Sequence, residues 1–376
     1  MSTMSMVLNI GEAQYSDPGN RRSRFYTAAG SANETRSALR LAIAWSCNSF
    51  FSNAFRLTID NPAYKNTREG LQKWKNYLTA FDLGKRTGID LPSEDGGNVP
   101  DTAAYDKEYN RSWNSCTMVT IGIGQDKLLV TPLQMANSIC ILANKGFYYT
   151  PHFVEKIDNE TPEDTILNKY RKRHEVLTHI SDDAFETVIS GMQDVVEHGT
   201  ARIVQIPGIN ICAKTGTAEN YRVIDGKRMQ LKDNSMFVCF APRENPKIAI
   251  AVVVENAGFG ATWAGPIARI LLEKYLNDTL QTKSKEDFDR ISGSNLMPPY
   301  LHRLQFIDDS IRARKWFETT GDSAYLRKYI GSTIRPVEKA PFKNNDTPVS
   351  KETSGYLAII TDKKQFRKTS HQSVFE

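Results

Sequence analysis

Long apolar runs are missing from this sequence. The longest, IAIAVVV at 248–254, is far too short to span a bilayer, which takes about 20 residues. The opening stretch MSTMSMVLNIGEAQYSDPGN has no basic head followed by a hydrophobic segment, so it does not read as a signal peptide. Both absences lead to the expectation that the chain, as written, stays in the cytoplasm. Dense Lys/Arg blocks are lacking too. The formal net charge of +5 is small for 376 residues, and no basic stretch is interleaved with aromatics, which argues against nucleic acid as a partner. Cysteine is scarce: Cys47, Cys116, Cys140, Cys212 and Cys239 are scattered, odd in number and free of any C-x-x-C pair. They are expected to be reduced core residues, not a disulfide framework or zinc site. The histidines offer no ligand spacing either. His174 and His179 in HEVLTH stand five apart, where a helical zinc pair needs four. Neither a metal nor a cofactor is expected.

What is present describes a globular protein, 40% hydrophobic and 24% charged. NETRSALRLAIAWSCNSFFSNAFRLTI, from Asn33, reads as helix, break, helix, with Ser46-Cys47-Asn48 at the break. Leu71, Trp74, Leu78 and Phe81 recur at helical spacing and lead into the glycine-rich loop LGKRTGIDLPSEDGGNVP. Thr131-Pro132 supplies a cap and first turn for LQMANSICILANKG. Phe185, Val188, Ile189, Met192, Val195 and Val196 form another helical stripe behind a Ser181 cap. The period then changes. Residues 209–217 read as a strand, followed by a polar loop through Asn234, and 235–242 and 247–256 as a hairpin joined by RENP. The last strand is apolar on both faces, so helices are expected on both sides of it. ATWAGPIARILLEKYL, 261–276, is a closing helix. Beyond about 280 one or two short helices are expected, and from 331 a polar tail with the composition of a disordered segment.

The stretch ICAKTGTAEN, 211–220, carries the chemistry. Gly208 to Thr215 comes one residue short of a phosphate-binding loop. That loop needs glycine before its lysine and a helix after it; here Ala213 precedes Lys214, and the lead-in is an extended apolar strand. A second reading fits better. A lysine and two hydroxyls on a strand edge bind a carboxylate through charge and hydrogen bonds, and Gly216 between them keeps that edge free of a side chain. Lys-Thr-Gly with an upstream Ser-x-Asn belongs to the set found in penicillin-binding proteins and class A β-lactamases. Either motif alone is weak; their order and placement together are specific.

The segments AIAWSCNSFF, LGKRTGIDLPSE, IGIGQDKLLVTPLQMANSICILANKG, VVEHGTA, ICAKTGTAEN and ATWAGPIARILLEKYL, in that order, resemble the transpeptidase domain of class B penicillin-binding proteins over residues 35–278. The resemblance implies an α+β penicillin-binding transpeptidase or serine β-lactamase-like fold: an antiparallel sheet flanked by helices, plus a helical subdomain. It divides the chain into an irregular segment at 1–34, a partial transpeptidase domain at 35–278, a short helical extension at 279–330 and the tail at 331–376. It implies a peptidoglycan D,D-transpeptidase, in which a serine attacks the penultimate D-alanine carbonyl of a stem peptide. D-alanine leaves, and an amine of a neighbouring stem resolves the acyl-enzyme; β-lactams acylate the same serine.

By motif position, Ser46 resembles the residue that relays a proton to the leaving amine. Asn48 resembles the donor that orients the substrate amide and the catalytic lysine. Lys214 resembles the strand lysine that holds Ser46, and Thr215, Gly216 and Thr217 the carboxylate-binding edge, with the Thr217 N–H as half of an oxyanion hole. Implied partners are D-Ala-D-Ala stem peptides, β-lactams and membrane proteins of cell elongation or division; the family is inner-membrane anchored with a periplasmic catalytic domain.

One element of the family pattern is missing. Its first motif, Ser-x-x-Lys, supplies the nucleophile, and no serine of this sequence has lysine three positions on. The expectation is an N-terminally truncated chain that lacks the family's first strands and nucleophile helix, is inactive alone, and leaves the apolar edge of strand 247–256 open. A non-catalytic homologue that binds stem peptides or a partner, and a β-lactamase-type hydrolase or β-lactam sensor, are the alternatives.

Overall fold

Helix α1, residues 32–44, closes on a turn in which Ser46 N–H donates to Ile43 O and Cys47 N–H to Ala42 O. This paired closure places its left-handed residue at Ser46, φ +53°, where glycine is the usual occupant. The computed structural model describes residues 32–158, 165, 167–176, 180–224, 227–324 and 357–358. Most of the segment expected to be irregular, nearly all of the polar tail, and His179 lie outside them.

The next helix, α2 (Asn48–Ile59), starts directly after the turn. Then comes α3 (Thr67–Ala80), where the Asn66 side chain accepts from the Glu69 N–H and Glu69 accepts from the Lys65 N–H. Phe55, Ile59, Leu71, Tyr105, Met118 and Ile121 form a core of their own, into which α4 (Thr102–Glu108) and a 3₁₀ stretch, Ser115–Ile123, contribute. This is the expected helical subdomain. The glycine-rich loop runs to α5 (Pro132–Ala143), which starts on the expected Thr131 cap and closes it as a capping box with Gln134. Gln134, fully buried, also donates to Lys85 O and Gly96 O and pins the loop to the helix.

A small hairpin pairs β1 (Phe147–Tyr149) with β2 (Arg173–Glu175), with the short α6 (Asn168–Arg171) between them. His174 stacks on Tyr148 there, a packing role. Helix α7 (Asp182–Glu197) is capped by Ser181, with Asp182 and Asp183 in its first turn, where negative charge complements the helix dipole. A 3₁₀ turn, Arg202–Val204, leads to β3 (Cys212–Ala218). The region expected to be a polar loop holds a hairpin of β4 (Tyr221–Ile224) and β5 (Lys227–Gln230). The pair β6 (Asn234–Ala241) and β7 (Ile248–Val254) follows, and then α8 (Ala264–Asn277).

The main sheet is antiparallel in the order β3-β6-β7-β8, β8 being Leu357–Ala358. Ile248 to Val252 are buried on both faces of β7, and α5 and α8 both pack against that strand, as its unbroken apolar run requires. The open β7 edge expected from the sequence is corrected in part. Leu357 pairs with Val252 and Ala358 with Ala251, so backbone from late in the chain occupies some of the donors and acceptors that an edge strand exposes.

The chain divides into two compact units, residues 1–292 with 356–376, and residues 293–355. The first ends its helical part with α9 (Thr282–Ser292). The second contains α10 (Pro299–Thr320), which at 22 residues is longer than the short helices expected. Proline at its start and left-handed Gly321 at its end bound it, although its apolar residues have little helical periodicity. Among the described residues no helix is long and apolar enough to cross a membrane.

Candidate functional site

Ser46 and Lys214, far apart in sequence, meet. Lys214 Nζ donates to Ser46 Oγ at 2.7 Å and to Thr215 O at 2.8 Å. Three features bring them together. The closing turn of α1 holds Ser46 in a backbone conformation that costs a non-glycine residue energy, and such strain is retained where surrounding structure enforces it.

The second feature is the docking of α1 on α7. A Cβ at Gly191 would come within 2.9 Å of Ile43 Cδ1, and one at Gly199 within 2.2 Å of Ala44 O, so both glycines are required by close approach. Ion pairs Arg36–Asp183 and Arg40–Asp194 lie along the same contact. The third is the position of β3 at the edge of the sheet. Side chains alternate along a strand, so Lys214 and Gly216 share one face and Thr215 and Thr217 the other, with a backbone edge between them that is unpaired among the described residues.

The end of β3 is buttressed from the β7–α8 loop. Gly260 packs on the strands so closely that a Cβ there would lie 2.4 Å from Met236 O and 2.6 Å from Gly216 O. Ser235, paired with Thr217 across the sheet, donates to Phe259 O and accepts from the Ala264 N–H at the start of α8. Thr217 is exposed, Thr215 half-buried.

Electrostatics single out Lys214. It is half-buried, and among the described residues it has no ion-pair partner. Desolvation pushes its pKa down from 10.5 to about 8. At pH 7 it is still mostly protonated, a cation whose charge no acid offsets. Such a group gains from an incoming carboxylate, which would restore part of the lost solvation.

The sequence-predicted residues Ser46, Lys214, Thr215, Gly216 and Thr217 thus come together. Asn48 stands exposed at the first position of α2, and its side chain has no hydrogen-bond partner among the described residues. Three residues that shape the site were not singled out from the sequence: Thr200, which lies inside the VVEHGTA segment of the resemblance and whose Oγ1 lies 2.9 Å from Thr215 Oγ1, Ser235 and Gly260.

The cysteines divide. Cys212 and Cys239 are buried and Cys140 partly so, and burial pushes the Cys140 and Cys212 thiols up to about 11 and about 12. Cys47 and Cys116 are exposed instead of core residues: Cys47 belongs to the turn beside Ser46, and Cys116 to the 3₁₀ stretch. Asp194, Glu197 and His198 are the one group among the described residues close enough to share a cation, but Asp194 is already paired with Arg40.

Comparison with known proteins gives a consistent set. A family model described as the penicillin binding protein transpeptidase domain matches residues 9–273, beginning inside the segment that the sequence resemblance had left out. The peptidoglycan D,D-transpeptidase MrdA of Haemophilus influenzae is 32% identical over 229 residues, 57% of this chain and 34% of that protein. MrdA of Escherichia coli K12 is 28% identical over 58% of this chain and 35% of its own length. The chain therefore spans about a third of the length of these curated relatives. Among solved structures, Pseudomonas aeruginosa PBP2 aligns with a TM-score of 0.52 at 27% identity, covering 66% of this chain and 52% of that one. Helicobacter pylori PBP2, solved as a complex with MreC, aligns with a TM-score of 0.50 at 26% identity, covering 64% and 40%.

Proposed function

The chain belongs to the penicillin-binding-protein transpeptidase family, and from that premise we propose that its site holds the terminal carboxylate of a D-alanyl-D-alanine stem peptide, or of a β-lactam that imitates one. The reaction it serves is peptidoglycan D,D-transpeptidation through a serine acyl-enzyme. The observation that carries this reading is the 2.7 Å contact between Lys214 Nζ and Ser46 Oγ, made by a cation that has no acidic partner among the described residues and lies beside an edge strand.

In this reading Lys214 supplies the positive potential, and Thr215 and Thr217 donate hydroxyl hydrogen bonds to the carboxylate oxygens. Gly216 lets the peptide backbone lie along β3, in the manner of a strand added to a sheet edge. In the same reading Ser46, hydrogen-bonded to Lys214, passes a proton towards the leaving amine, and Asn48 orients the substrate amide. The Thr217 N–H serves the oxyanion. These 376 residues carry no Ser-x-x-Lys, so the property they support on their own is recognition without acylation. For partners, the H. pylori neighbour's complex with MreC supports a membrane protein of the same kind.

Binding separates this function from a merely inherited fold. Titrated with an N-acyl-Lys-D-Ala-D-Ala peptide and its L-Ala-L-Ala isomer, the chain should saturate reversibly with the first and respond weakly to the second. Equal response to both, or to neither, rejects the assignment.

A further inference from the structure

Thr200 has no part in the ligand contacts described above, yet it touches both halves of the site. Its backbone N–H donates to Ala44 O at 3.2 Å, two residues before Ser46. Its Oγ1 lies 2.9 Å from Thr215 Oγ1. Gly199, buried against Ala44, fixes the turn that presents it. The residue therefore joins the end of α1 to the middle of β3.

We propose that Thr200 is a positioning residue for carboxylate recognition, its hydroxyl donating to Thr215 Oγ1 so that the Thr215 proton is free for the ligand. Hydrogen-bond polarity sets the direction. Each hydroxyl has one proton and two lone pairs. If Thr215 donated to Thr200, its only proton would be spent inside the protein, and its oxygen would turn lone pairs towards the ligand. An anionic carboxylate, which only accepts, selects the opposite polarity: Thr200 to Thr215 to carboxylate. An oxygen that accepts a hydrogen bond also becomes a better donor, so the relay strengthens the contact to the ligand.

Lys214 and Ser46 need no such arrangement. The ammonium group has three protons, and two of them go to Ser46 Oγ and Thr215 O. The third remains for the ligand. The hydroxyl pair is thus the part of the site whose direction must be set from outside it, and Thr200 is the residue in place to set it.

This inference rests on the carboxylate reading, and the test separates the two. The affinities of wild type, Thr200→Val and Thr200→Ser are measured by NMR titration at pH 6.5 for an N-acyl-Lys-D-Ala-D-Ala peptide as the free acid and as its C-terminal amide. Wild type should prefer the acid. Thr200→Val, nearly isosteric, should lose about tenfold in affinity for the acid, the loss expected when a hydrogen bond to a charged group is weakened, with the amide unchanged. Thr200→Ser, which keeps the hydroxyl, should recover the acid preference.

A Thr200→Val protein that keeps the full preference, or weakens acid and amide alike, overturns the role given to Thr200 and leaves the site reading intact. Wild type with no preference for the acid overturns both. Should Thr200→Val fail to fold, Thr200→Ala carries the same comparison.

Discussion

Incubated with a fluorescent penicillin at pH 7, the 376-residue chain should show no covalent label after denaturing electrophoresis and no penicilloyl mass increment. Acylation needs a serine whose proton a nearby base can take, facing a carbonyl whose developing charge is met by two N–H donors. Ser46 fails the first condition at this pH. Its neighbour Lys214, with a pKa of about 8, is mostly ammonium and donates to Ser46 Oγ instead of accepting from it. No serine in the chain has lysine one helical turn on. In an enzyme that depends on a serine nucleophile, its loss costs about 10⁶-fold in rate, which places labelling beyond detection in an ordinary assay. A stoichiometric adduct on any serine would show that a nucleophile had been overlooked, and the peptide that carries it would name the residue.

The sequence made much of this site legible, and its reasons for doing so are local. Ser46-Cys47-Asn48 interrupts a helical apolar pattern, so the break was visible before any contact was known. Lys214-Thr215-Gly216-Thr217 follows an apolar strand signal, which is what separates it from a phosphate loop. The contact between them was available only through family resemblance, because no periodicity links residues so far apart. Thr200 lay inside the VVEHGTA segment of the resemblance, but its part in the site was not legible: one threonine after a glycine carries no pattern, and its position depends on the close approach of Gly199 to Ala44. The β4–β5 hairpin was missed although Asp225-Gly226, a strong hairpin signal, stands between its strands. Arg222, Lys227, Arg228 and Gln230 made those strands read as loop. At the β7 edge, pairing by Leu357 and Ala358 required a partner from more than 100 residues downstream, for which no strand pattern near β7 gave a hint.

Lys214→Met should separate stability from recognition. Methionine keeps most of the packing and removes a charge that is costly to bury. In the folded chain Lys214 titrates near 8, against 10.5 for the free side chain. Below about pH 8 both folded and unfolded states carry the proton, and the full cost of burying the charge is present. Between about 8 and 10.5 the unfolded chain binds more protons than the folded one, so wild-type stability rises with pH through that window. Lys214→Met has nothing to titrate there. Its stability relative to wild type should therefore be greatest at pH 7 and should fall by on the order of 2–3 kcal/mol by pH 10.5. Urea unfolding of both proteins across that range measures it; parallel pH profiles would mean that Lys214 is solvated like a surface lysine. The same variant should lose the acid-over-amide preference altogether.

Lys214, a cation with no acidic partner among the described residues, is the group that a bound carboxylate should affect most, and its ammonium can be watched directly. With lysine labelled at Nζ and Cε, the Lys214 resonance is followed through pH 6 to 11, first alone and then with saturating N-acyl-Lys-D-Ala-D-Ala free acid. Alone, it should titrate near 8. With the peptide bound, the carboxylate beside it favours the charged form, so the midpoint should move upward, and by linkage the peptide's affinity should fall as pH rises above 8. A Lys214 midpoint unmoved by saturating peptide would contradict the account.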